Sequence, residues 1–373
     1  MNHNRALGSL VVFLLGLSPS LAFGQHYTQT NLVANTADAQ LTDANLRNAW
    51  GLVHGPATPW WISNNFTGTS TLYDVSTTPP TPRPQPNPLV VHIPPPAGSP
   101  ADAIGHPTSV LFNGSTTDFL LAPNRPAVFI FATEDGTISG WNPGVNATNA
   151  VIKYPPPNQS SDAVYKGATI VEIQGKKFIL AANFRSGKID VFDTTFTKLE
   201  VSKKAFRDQK LPKGFAPFNV QGIGPNVYVT YAKQDDMQMD DVPGAGLGFV
   251  DVFSPSGDLL MRLDHGDFLN APWGVTLAPA FFGEFTHAVL VGNFGDGTIN
   301  AFNPVTGEFL GKMLTQSGST LVITGLWGLA FGNGGQSGPG NTLFFTAGPN
   351  DEMDGLFGSL VPIATELSED DEQ

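Results

Sequence analysis

The sequence contains no cysteine. Disulfides, thiolate zinc sites and cysteine nucleophiles are thereby excluded. Charge is scarce, at 14% of residues, and unbalanced: 19 Lys and Arg face 32 Asp and Glu, for a net charge of −13. Phosphate backbones and anionic lipid would repel such a chain, which argues against nucleic acid and membrane surfaces as partners. Beyond the N-terminus no apolar run approaches the about 18 residues that a membrane span needs. The usual catalytic signatures are missing too. There is no Gly-x-Ser-x-Gly elbow, no His-Glu-x-x-His, no phosphate loop and no dinucleotide fingerprint, and no two of the seven histidines stand at ligand spacing. What the chain has in excess is turn formers, 41 Gly and 31 Pro, together with 27 Phe. That mixture reads as many short strands joined by tight turns.

Three segments separate along the chain. Leu10 to Leu17 is an apolar run with polar flanks, and Ala22 and Gly24 stand three and one positions before Gln25. This is the pattern of a secretory signal over residues 1–24, which predicts an exported protein beginning at Gln25. Residues 25–363 form the expected folded domain, and residues 364–373 an acidic, solvated tail. Thr77 to Pro100 holds ten prolines and predicts a stiff, extended surface segment.

Internal repetition decides the architecture. A glycine followed five residues later by an aromatic recurs as Gly68…Tyr73, Gly136…Trp141, Gly187…Phe192, Gly248…Phe253 and Gly297…Phe302, with a degenerate copy at Gly355…Leu360. Alternation between the ends, as in Gly187-Lys-Ile-Asp-Val-Phe192, is the period of a strand. A second signature precedes each copy. Asn48-Ala-Trp50-Gly, Ala271-Pro-Trp273-Gly and Gly325-Leu-Trp327-Gly are close matches, and Ala216-Pro-Phe218-Asn is looser. Aligning Thr108 and Ala168 to the same place gives positions 50, 108, 168, 218, 273 and 327. Four strands per repeat of roughly 55 residues make one propeller blade, so the chain is expected to be an all-β, six-bladed propeller of four antiparallel strands per blade. The strand beginning at Asn31 is expected to complete the last blade and close the ring. The repeated tryptophans, beside a strand start, are expected to serve packing between blades.

The run from Asn31-Leu-Val through Asn48-Ala-Trp50-Gly, the glycine-to-aromatic strands and Gly246-Leu-Gly-Phe-Val-Asp-Val-Phe253 resemble an uncharacterised family of secreted β-propeller proteins. Some members of that family end in a Pro-Glu-Pro sorting tail handled by an exosortase, which this chain lacks. The blade pattern is more distantly similar to NHL-repeat and gluconolactonase-like propellers. The resemblance implies the fold and export, and assigns no catalytic residue.

Candidate chemistry therefore rests on loops. Those gathering on one propeller face carry Asp102 and His106, Glu134 and Asp135, Asp264, His265 and Asp267, and Asp351, Glu352 and Asp354. The longest insertion contributes Asp235, Asp236, Asp240 and Asp241, a set of hard oxygen donors that could bind Ca²⁺. Two function classes follow. One is a monomeric binding or scaffold module for a protein, glycan or small-molecule ligand. The other is a metal-dependent hydrolase or lyase with carboxylates at the channel mouth. Whether the chain is an enzyme stays open at this stage.

Overall fold

The structure is a computed structural model in which residues 26–76 and 84–363 are described. The expected signal over residues 1–24 and the expected tail over residues 364–373 lie outside the described residues, and so does part of the proline-rich stretch. Among the described residues there is no α-helix, only two short 3-10 turns.

Six sheets follow one another along the chain. Blade one runs through Ala49–Val53, Trp60–Asn64, Thr69–Val75 and Pro84–His92. Its outer strand starts within the proline-rich stretch, earlier than the apolar residues alone suggest. Blade two uses Pro107–Phe112, Phe129–Thr133, Ile138–Trp141 and Val151–Tyr154. Blade three opens with Tyr165–Ile173 and Lys176–Asn183, blade four with Phe215–Ile223 and Asn226–Lys233, and blade five with Pro272–Leu277 and Val289–Asn293. Blade six takes Leu326–Phe331, Leu343–Ala347 and Leu356–Pro362, then borrows His26–Ala34 from the other end of the chain. That strand pairs antiparallel with Leu356–Pro362, from Tyr27 opposite Pro362 to Ala34 opposite Leu356. Each innermost strand packs on the next, and the sixth returns to the first. The chain is a six-bladed propeller.

Why these residues make blades is visible in blade three. Phe178-Ile-Leu-Ala-Ala182 is a continuous apolar run because both faces of its sheet are covered. Ile179 and Ala181 enter the core shared with blade two, while Leu180 and Ala182 enter the core shared with blade four. The same division into two cores applies along Lys188–Phe192. Ile189 and Val191 face blade four and Phe192 faces blade two. The described residues thus build six inter-blade cores, with a seventh cluster on the axis.

The repeated glycine does two jobs. At Gly136 the backbone is left-handed, with φ of +74°, as the turn into the third strand requires. Gly248 is not left-handed. There a Cβ would stand 2.3 Å from Cδ of Pro272, so the glycine is a close-approach residue between blades four and five.

Candidate functional site

A shared irregularity shapes the axis. In every blade the pairing of the innermost strand with its neighbour slips near its first residues. The slips fall at Trp50-Gly51, Thr108, Lys166, Phe218, Trp273 and Trp327-Gly328. A bulge of this kind leaves one residue out of the ladder and re-aims its side chain. Here the re-aimed residues converge on the axis. Trp50 stacks on Trp327 with centroids 3.7 Å apart, and Trp273 meets both rings edge-on at 6.3 and 5.9 Å. Phe218 adds a ring 5.8 Å from Trp327. The tryptophans therefore pack against one another across the axis, not only between neighbouring blades as the sequence suggested. The glycine after Trp273 is what permits it: a Cβ there would lie 2.5 Å from the carbonyl oxygen of Trp327.

The same geometry corrects the repeat alignment. Blade three's counterpart of the tryptophans is Lys166, not Ala168, because the bulge falls between Tyr165 and Gly167. A signal for this was present, since Lys166-Gly167 repeats the spacing of the three Trp-Gly pairs. Blade three thus places an ammonium where its neighbours place indoles.

Lys166 has a side chain only 2% exposed. Its Nζ lies 5.4 Å from the centre of the Trp50 ring, above the aromatic floor. It pairs with Oε1 of Glu134 from blade two and, at 2.8 Å, with Oδ1 of Asp240 from blade four. Burial alone would pull the lysine down, but the two carboxylates outweigh it and raise the group, so the ammonium stays charged. Asn65 of blade one donates from Nδ2 to the other Glu134 oxygen at 2.8 Å. Glu352, from blade six, completes the group and accepts a hydrogen bond from Nδ2 of Asn48 at 2.6 Å. Asn48 in turn accepts from the Trp327 indole at 2.9 Å, tying the charged layer to its aromatic floor.

One lysine cannot neutralise four carboxylates, and the surplus appears in their proton affinities. Burial, then repulsion from Glu134, pushes the Glu352 carboxyl up to about 7. Burial likewise pushes Asp241 up to about 6, against the pull of Lys166 and with added repulsion from Asp240 and Asp235. One Asp241 oxygen is buried without a hydrogen-bond partner. Glu352 also sits on strained backbone: Asn350, Asp351 and Glu352 have φ of 57°, 50° and 63° in succession. Left-handed conformations cost non-glycine residues about 1–2 kcal/mol each, so the surrounding contacts must hold this turn in place. Asp354 does so, accepting from Nδ2 of Asn35 at 2.8 Å, while its own carbonyl accepts from the amide of Asn48.

Of the sequence's candidates, Glu134, Asp240, Asp241 and Glu352 gather at this axial mouth. Asp102, Asp264, Asp267 and Asp351 are solvent-exposed, and His265 stacks on Phe249 at 4.2 Å. Asp135 accepts from the backbone amide of His106 at 2.6 Å and acts locally. The proposed calcium set divides. Oδ1 of Asp235 caps its own loop, accepting from the amides of Met239 and Asp240 at 2.8 and 3.3 Å, and Asp236 is exposed. Asp240 is engaged by Lys166. Among the described residues, no three His, Asp or Glu side chains are arranged to hold a metal ion. What the sequence did not single out is Lys166, Asn48 and Asn65. Beneath the floor, a cavity of about 300 Å³ runs between the innermost strands, lined by Leu52, Ser109, Ile170, Gln221, Val275 and Leu329 from the six blades.

No family model matches the chain. The uncharacterised protein R648 of Acanthamoeba polyphaga mimivirus is 32% identical over 338 residues, covering 88% of this chain and 78% of its own. Among solved structures, a structural genomics protein of unknown function from Bacteroides thetaiotaomicron aligns with a TM-score of 0.51 and 8% identity, over 91% of this chain and 77% of that one. A glucose dehydrogenase aligns with a TM-score of 0.50 and 13% identity, over 89% and 98%. At these identities the likeness to solved structures concerns the fold.

Proposed function

The chain belongs to the family of the mimivirus protein R648, and from that premise we propose that it is an exported, non-catalytic binding propeller whose ligand site is the axial mouth. The observation that carries this reading is the position of Lys166. A metal-dependent propeller enzyme would hold a cation by carboxylates from several blades. Here the chain supplies its own cation, an ammonium between Glu134 and Asp240 and beside Glu352. A fixed ammonium already shared by two carboxylates offers no open coordination position for substrate activation. Export is supported by the apolar run from Leu10 to Leu17 and by Ala22 and Gly24 before Gln25.

One observation favours the hydrolase or lyase reading instead. Glu352, held near neutrality at about 7, is poised to give up a proton at physiological pH, as a general acid must. An assay separates the two. The purified protein is incubated with D-glucono-1,5-lactone, with and without EDTA, and hydrolysis is followed against buffer alone. The binding reading expects no rate above buffer. An EDTA-sensitive rate that is lost in Glu352→Gln would overturn it.

A further inference from the structure

The tip of the blade-four loop is a curious occupant of the axial mouth. Residues 234–242 form a turn closed by Val242 N–H to the Lys233 carbonyl at 2.8 Å and Asp235 N–H to the Asp240 carbonyl at 2.9 Å. Gln234 anchors its base by donating from Nε2 to the Phe184 carbonyl at 2.6 Å, and the Arg185 guanidinium meets the Met239 sulfur. Its contacts with the aromatic floor and the lysine are made by adjacent residues of different chemistry. Met239 packs on the aromatic floor built from Trp50, Trp273, Trp327 and Phe218. Asp240 reaches the Lys166 ammonium, yet its own side chain is 72% exposed while the lysine is 2% exposed. A buried ammonium is thus capped by a carboxylate that stands largely in water.

We propose that Met239 and Asp240 are a tethered stand-in for the ligand, and that the axial mouth takes a small carboxylate with an apolar body when this tip swings aside. This rests on the binding reading above and names its ligand class. The chemistry matches part by part. The thioether occupies the place of the apolar body over the aromatic floor, and the Asp240 carboxylate occupies the place of the ligand's own. Exchanging one carboxylate for another leaves the charge around Lys166 unchanged, so the desolvation of the lysine is compensated in both states. The turn's internal hydrogen bonds let it move as a unit, and the partnerless buried oxygen of Asp241 is a defect of the closed state that opening would relieve. A cationic ligand, by contrast, would have to displace or sit beside a fixed ammonium.

The test uses the full mature chain and two probes, benzoate and benzylamine, with binding read by calorimetry near pH 6. Met239→Ala/Asp240→Asn removes the tip's contacts with the floor and with Lys166 and leaves its anchor at Gln234 intact. It should bind benzoate at least about tenfold more tightly than the wild type, and adding Lys166→Met should abolish the gain. Absence of benzoate binding to the double variant, or binding that survives Lys166→Met, overturns the proposal. Should the triple variant fail to fold, pH decides on the double variant. The charged groups facing Lys166 and the tip in that variant are Glu134, Asp235, Asp241, Glu352 and Arg185, and ionisation of Asp241 and Glu352 by pH 8 should weaken benzoate binding several-fold. Affinity that does not fall with pH overturns the lysine's role. Benzylamine binding in place of benzoate would sink the carboxylate class while leaving the mouth as a binding site. EDTA-sensitive lactone hydrolysis would sink the binding reading itself.

Discussion

Replacing Glu352 with glutamine should make the protein more stable at pH 8, although it removes a hydrogen-bonded side chain from the axial mouth. The carboxyl is pushed up to about 7 from an ordinary value of 4.5, chiefly by burial and then by Glu134. Because the folded state holds this proton more tightly than the unfolded chain, the group's stabilisation is complete below about pH 4.5. It is lost as pH rises toward 7, and it stays lost above that. A shift of this size corresponds to about 3 kcal/mol. Glutamine is neutral at every pH and still offers Asn48 an acceptor, but its amide brings donors that need partners, at a cost of about 1 kcal/mol. The net expectation is a gain of about 2 kcal/mol at pH 8 and a loss of about 1 kcal/mol at pH 4.5. The assay is urea denaturation of both proteins across pH 4.5–8, with equal m-values as the check that the same transition is compared. The difference between the two curves reports Glu352 together with the groups coupled to it, Glu134 and Asp241, and cancels the titrations elsewhere in the chain. A variant no more stable than the wild type at pH 8, with the same dependence on pH, would refute a strained, surplus-charged mouth.

Further outcomes follow from the same geometry. Deleting residues 25–36 removes the strand that pairs with Leu356–Pro362, together with the buried Leu32 and Val33, and should lower the melting temperature markedly; an unchanged value would count against ring closure by this strand. Trp327→Ala should cost about 3–5 kcal/mol in urea denaturation, because a fully buried indole at the centre of the floor leaves a cavity that its neighbours cannot fill. Mass-spectrometric mapping of exported protein should find its first residue at Gln25, and a mature product containing residues 1–20 would contradict the export reading. Adding Ca²⁺ in place of EDTA should leave the melting curve of the wild type where it was. A shift absent from Asp240→Asn/Asp241→Asn would instead establish the blade-four loop as a calcium site.

How much of this was legible in the sequence follows from what each feature depends on. The blades were readable because strand alternation and turn glycines are local, and because six imperfect copies reinforce one another. Ring closure by the segment at Asn31 was readable because the last repeat lacked a strand and the chain's beginning had one to spare. The axial floor was half readable: the tryptophans announced themselves by repetition, but their convergence depends on bulges, which are written in pairing register and not in residue type. Lys166 was obscured for that reason, since aligning blade three on Ala168 placed the lysine two residues outside the motif, although its following glycine marked the true position. Glu134, Asp240, Asp241 and Glu352 were named as loop acids, yet nothing local distinguishes them from Asp102 or Asp264. Only closure of the ring brings residues from blades two, four and six to one lysine.

What occupies the axial mouth decides its chemistry, and a crystal structure of the protein grown with Ca²⁺ in the medium examines that directly. The expected density shows the Lys166 ammonium between Glu134 and Asp240, with Glu352 on Asn48 and no ion on the axis. A calcium ion on the axis, coordinated by Glu134, Asp240 or Asp241, and Glu352 with the lysine turned away, would contradict it.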